Sequence, residues 1–95
     1  MAAYVILDVT VNDQAGYEEY KKLGAPTIAA YGGRPIARGG KTEVLEGEWH
    51  PRRMIMIEFK DAEAAKRWWS SPEYSQAKKL RHASAVTNAV LLEGF

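Results

Sequence analysis

Ninety-five residues, 46% hydrophobic and 26% charged, suffice for one globular domain spanning 1–95 and exclude wholesale disorder. Thirteen basic residues against twelve acidic leave a net charge of +1, which gives no electrostatic footprint for nucleic acid or an anionic membrane. Cysteine is absent, so disulfides, thiolate metal sites and cysteine nucleophiles are ruled out.

The chain opens on its longest apolar run, "MAAYVIL". That run is far short of the roughly 20 residues of a membrane span and lacks a basic n-region and a cleavage site, so a soluble, cytoplasmic protein is expected. Within "YVILDVTV" (4–11), β-branched and apolar residues predict a strand. "NDQAGYEEYKKLGAPTIAAYGG" then changes to helical spacing. Asn12 or Asp13 can cap it, Tyr17, Tyr20, Leu23 and Thr27 recur along one side, and Gly32-Gly33 stop it. Pro26 is expected to kink or split this helix near Gly24.

"RPIARGGKTEVLE" reads as a second strand, interrupted at Gly39-Gly40 by a bulge or tight turn. "RRMIMIEFK" (52–60) is a third, strongly apolar strand. Asp61 caps "DAEAAKRWW", with Ala62, Ala65 and Trp69 on one stripe. Ser71 and Pro72 restart the helix as N-cap and first-turn residue, and Tyr74, Ala77, Arg81 and Ser84 share its inner side. "TNAVLLEGF" closes the chain as a strand. The order β-α-β-β-α-β predicts an α+β, ferredoxin-like fold: a four-stranded antiparallel sheet with its first and third strands central.

Alternation divides each strand between two faces. Val5, Leu7 and Val9, with Ile55, Ile57, Phe59, Val90 and Leu92, are assigned to the helix side. The other side then carries Tyr4, Ile6, Met54, Met56 and Leu91, with Asp8, Glu58 and Glu93. A wet apolar patch of several hundred Å² forgoes several kcal/mol at about 25 cal/mol per Å² and invites association. The expected cover is a second copy on a two-fold axis, a homodimer through this face.

"GGKT" at residues 39–42 invites comparison with a phosphate-binding loop. Pro35 stands where the first glycine of that motif belongs, and no good helix can follow past Gly47 and Pro51, so nucleotide binding is not expected.

The strings "AYGGRPIARGGKTEVLEGEW" and "IEFKDAEAAKRWWSSPEY", with the "VLLEG" ending, resemble the DUF1330 family over almost the whole chain. The resemblance implies membership of the dimeric α+β barrel group, whose ferredoxin-like units pair sheet to sheet. That wider group includes cofactor-independent monooxygenases, haem-binding degraders, muconolactone isomerase-like enzymes and stress-responsive barrels. In several of them the ligand lies between helices and sheet, which carries over as a location and not as a reaction.

The residues themselves offer one constellation. Tyr20, Trp69 and Tyr74 can line a helix–sheet pocket for a flat hydrophobic ligand, and Arg38 and Arg81 can hold its charge. The plainer reading makes the aromatics core and the arginines solvated or ion-paired. His82 is expected in solvent beside Lys78 and Lys79. His50 would lie with Glu46 and Glu48 on one side of an extended segment, a donor set for a weak metal site, but Gly47 and Pro51 favour a flexible loop. No metal, cofactor or catalytic triad is called for. Two functions follow: a cofactor-free oxygenase or isomerase acting on a small aromatic or carboxylate metabolite, or a non-catalytic small-molecule-binding or stress-related dimer.

Overall fold

The computed structural model describes residues 1–95. Strands β1 (Ala3–Val11), β2 (Arg34–Arg38), β3 (Arg53–Phe59) and β4 (Ala85–Glu93) form one antiparallel sheet in the order β2-β3-β1-β4. Helices α1 (Gln14–Ala30), α2 (Ala62–Trp69) and α3 (Pro72–Ser84) lie on one side of it. The arrangement is ferredoxin-like, with the second helical segment broken in two. The Cα envelope is 34 × 31 × 16 Å, a slab one helix layer and one sheet layer thick.

Local chemistry sets the boundaries. The Asp13 carboxylate accepts from the Gly16 amide, Asp61 from Ala64, and the Ser71 hydroxyl from Tyr74, so each helix start has one otherwise orphaned donor satisfied. Pro72 occupies the first turn of α3. Pro26 does not split α1, which runs unbroken through it. It lies on the solvent side, and the buried Thr27 hydroxyl donates to the Gly24 carbonyl at 2.6 Å in the same turn. Gly24 is buried in place of the expected Leu23, facing Ala77 of α3 with a Cβ position 3.5 Å from its side chain.

The core gathers Val5, Leu7, Val9, Ile57 and Phe59 from the sheet under Tyr17, Trp68 and Tyr74 from the helices. On α2 the deeply buried residues are Ala64, Ala65 and Trp68, while Ala62 and Trp69 are half-buried, so the inward stripe is turned from the expected one. Trp68 stacks on Tyr74 at 4.0 Å between centroids and donates its indole N–H to Thr27 Oγ1 at 2.9 Å.

Register corrects the assignment of β4. Leu91 pairs with Val5 and Ala89 with Leu7, and directly opposed residues point to the same side, so Leu91, Ala89 and Glu93 belong to the helix side. Val86, Val90 and Leu92 take the open side with Tyr4, Ile6, Met54 and Met56. "AVLL" is apolar in both phases, so only its pairing with β1 fixes which way each residue points.

β2 is also shorter than expected. Its bulge lies between Pro35 and Ala37, not at the glycine pair, and no strand resumes after Arg38. Gly39 leaves the sheet at φ +66, and residues 39–52 form an irregular exposed loop. No helix opens after Lys41-Thr42, so the phosphate-loop context is missing.

Candidate functional site

Two grooves separate helices from sheet. The first, about 380 Å³, lies between α1 and the β2–β3 side. Tyr17, Tyr20, Lys21 and Ile28 reach it from α1, and Pro35, Arg38, Arg53 and Ile55 from the strands. The second, about 460 Å³, lies between α2 and β4 and is apolar, with Val5, Ala65, Trp69, Ala89 and Leu91 on its walls.

The five residues singled out from sequence divide around these spaces. Tyr20 and Arg38 line the α1 groove, and Trp69 lines the α2 groove. Tyr74 and Arg81 are buried between them. Four of the five touch: Tyr20 and Tyr74 share a hydrogen bond at 2.8 Å between hydroxyls, Trp69 lies 5.8 Å from the Tyr74 ring, and the Arg81 guanidinium stands 5.8 Å from the Tyr20 ring and 5.5 Å from that of Trp69. Arg38 stands apart, on the exposed strand β2. Its neighbour in sequence phase, Ile36, does not share the groove, because the bulge has shifted the register between them.

Burial is the chief cause that raises the Tyr20 ionisation above its ordinary value of 10.0, with the Tyr74 phenol adding to it, so Tyr20 holds its proton throughout the neutral range. Arg81 is 2% exposed, and its Nε and Nη2 have no hydrogen-bond acceptor. Its charge is met only by aromatic faces, an interaction worth about 0.5–2 kcal/mol and less than a carboxylate would supply. Desolvation, then the nearby Arg81 charge, holds the Lys78 ammonium below its usual range. Lys78 in turn stands 4.7 Å above Trp69.

The α1 groove is cationic. Lys21 binds Glu18 at 2.8 Å, a contact that holds the Glu18 carboxylate below its usual range. Arg38 and Arg53 have no acidic partner within ion-pair distance. Tyr17, fully buried, has a hydroxyl without a partner, and so does the Nε of Arg53. Sequence reasoning missed both residues as site residues. Their signals were a tyrosine at an inward helix position and an arginine in phase with Ile55 and Ile57 on the core face of β3.

The other polar candidates lie elsewhere. His50 and His82 are exposed, and no three metal-ligating side chains converge anywhere in the chain. Glu58 pairs with Arg34 at 3.0 Å across the β2–β3 ladder. Asp8, on the open sheet face, accepts from the Trp49 indole and the Arg52 amide at 3.1 Å each, tying the 39–52 loop to the sheet.

A profile of the family described as "Domain of unknown function (DUF1330)" matches residues 2–95. The chain belongs to the DUF1330 family. No curated protein sequence matches this DUF1330 member. Among solved structures it is similar to RPA0582, a protein of unknown function from Rhodopseudomonas palustris, at 18% identity and a TM-score of 0.81, covering 99% of this chain and 82% of that one. A dimeric ferredoxin-like protein of unknown function from Jannaschia sp. CCS1 matches at 13% identity and a TM-score of 0.74, covering 99% and 100%. SnoaB, a cofactor-independent oxygenase from Streptomyces nogalater, matches at 16% identity and a TM-score of 0.61, covering 99% and 92%. At such identities the likeness establishes a shared ferredoxin-like fold. No helix of the DUF1330 chain is long and apolar enough to cross a membrane.

Proposed function

We propose that this protein is a homodimer that takes a small aromatic or carboxylate-bearing metabolite into the α1 groove and acts on it as a cofactor-independent oxygenase or isomerase. The observation that carries the reading is the groove itself: half-enclosed, apolar at its base, with Tyr20 on one wall and cations on the other. Tyr20 and Arg38 contact the ligand. Tyr74 and Arg81 stand behind Tyr20 and fix its hydroxyl and its electrostatic setting, while Trp69 closes the same aromatic cluster from the α2 side. A phenol that stays protonated suits hydrogen-bond donation to a ligand oxygen. The cofactor-independent chemistry of SnoaB supports this reading by analogy of fold.

The open sheet face is the dimer interface in this proposal. Val86, Val90 and Leu92 are 64%, 61% and 56% exposed beside half-buried Tyr4, Ile6, Met54 and Met56, an apolar surface with nothing over it. Relatives of the same fold are described as dimeric.

The alternative, a non-catalytic binding dimer, draws on the absence of any close acid–base pair in the groove. A thermal-shift screen of aromatic and keto acids followed by product analysis separates the two. A compound that stabilises the protein and is converted supports the enzyme, and one that stabilises without conversion supports the binder. Stabilisation by no compound overturns both.

A further inference from the structure

The polar end of the α1 groove contains donors that the folded chain leaves idle. We infer that it is a carboxylate-recognition subsite, in which the Tyr17 hydroxyl donates to the anion and Arg53 and Arg38 supply the countercharge. The inference rests on the groove being a ligand site and adds the chemical class of what it takes.

Tyr17 is 1% exposed, and its hydroxyl has no acceptor within the protein. Phenylalanine would fill the same space without stranding a donor, so the hydroxyl is free to donate to a group that enters the groove. Its ring is held in place, 5.2 Å from the Tyr20 ring and 5.8 Å from the Arg53 guanidinium. Arg53 pairs with Val9 in the sheet and so enters from the core face, where its Nε is shielded from water and unbonded.

The loop after β2 makes room for that guanidinium. Gly39 has φ +66, which favours glycine, and its missing side chain leaves the place that Arg53 Nη1 occupies, 2.5 Å from where a Cβ would stand. Arg38 lies across the ladder from Ile55 and joins the same lining. Glu18 is the carboxylate drawn toward this end, and Lys21 engages it. Neither guanidinium has a carboxylate within ion-pair distance, and Glu18, which feels the Arg53 charge, bonds Lys21. The half-enclosed space is thus left cationic, a setting that favours an anion.

The remaining walls choose among anions. Leu7, Ile28, Ile55 and Ile57 surround the rest of the groove, so the anion carries an apolar body. One phenol and two planar guanidinium groups match a carboxylate. The arrangement lacks the run of backbone N–H donors that a phosphate cradle presents. The ligand class is an aromatic or branched monocarboxylate.

The experiment compares phenylacetate with its uncharged isostere phenylacetamide by calorimetry and thermal shift, on the full chain and on Tyr17→Phe and Arg53→Met. Phenylacetate should bind and the amide should not. Tyr17→Phe should melt no lower than the free wild-type protein and should melt higher if its hydroxyl is stranded, because it sheds an unpaired buried donor, yet weaken phenylacetate about tenfold. Arg53→Met should abolish binding. The subsite is refuted if the amide binds as well as the acid, if Tyr17→Phe binds the acid undiminished, if Tyr17→Phe melts lower, or if phenyl phosphate binds more tightly than phenylacetate. An amide that matches the acid removes the subsite and leaves the groove. Failure of both, and of a wider panel of aromatic and branched acids, removes both.

Discussion

The two grooves lie toward opposite edges of the sheet and differ in almost everything else. Trp68 and Tyr74, stacked and buried in the core, line neither. On the α1 side the Tyr17 hydroxyl and the Arg53 Nε are buried without a hydrogen-bond partner, and Arg38 is exposed; on the α2 side the walls are alanine, valine, leucine and one tryptophan, with Lys66 and Ser70 among them. A space that is merely a packing fault at a sheet edge has no reason to collect stranded donors, since each one costs about 1–3 kcal/mol to bury unpaired. Both grooves open at a sheet edge, the α1 groove beside β2 and the α2 groove beside β4. What distinguishes the α1 groove is that two such donors, the Tyr17 hydroxyl and the Arg53 Nε, belong to residues of its lining.

The largest effect should come from opening the core at Trp68. Trp68→Ala deletes the stack on Tyr74, the contact with Phe59 and the bond to Thr27 together. It should cost about 3–5 kcal/mol in urea or thermal unfolding. A loss under about 1 kcal/mol would show that these contacts contribute little.

Alkaline pH sharpens the comparison through Tyr20. Its folded-state ionisation lies above the ordinary 10.0, chiefly through burial, so the protonated form is the one that folding favours. That contribution is complete below the unfolded-state value and is lost as the pH climbs toward the folded one. By about pH 11 the wild type should have lost about 1.4 kcal/mol more of its unfolding free energy than Tyr20→Phe. Parallel pH profiles for the two proteins would place Tyr20 in contact with water.

The smallest effect concerns the buried charge between the Tyr20 and Trp69 rings. Arg81 touches one aromatic ring from each groove and has no acid. Arg81→Met keeps most of the volume and removes the charge, and should raise stability by about 1 kcal/mol while leaving the Tyr20–Tyr74 bond intact. Destabilisation instead would identify an internal acceptor for its guanidinium.

Most of the scaffold was legible because it is written in local chemistry. Asp13, Asp61, Ser71 and Pro72 act at the helix starts where their types predict, and the two most apolar strands are the central ones. Features that depend on a neighbour were not legible. The phase of β4 is set by β1, because Ala89 through Leu92 are apolar whichever way they point. The continuity of α1 past Pro26 depends on the proline facing solvent. For the site, Tyr20, Trp69, Tyr74 and Arg81 were readable as a set because helical spacing brings them to inner faces. Tyr17 and Arg53 were not, since their significance lies in lacking a partner, and a one-dimensional string does not show what each atom fails to meet.

Three tryptophans occupy three unlike settings: Trp68 sealed in the core, Trp69 at the rim of the apolar groove, and Trp49 on the outer loop, held by Asp8 beside the uncovered sheet face. The fold thus carries its own set of optical gauges. With the other two indoles replaced by phenylalanine, emission from Trp49 would follow pairing of two chains, from Trp69 occupancy of the apolar cleft, and from Trp68 the unfolding of the whole.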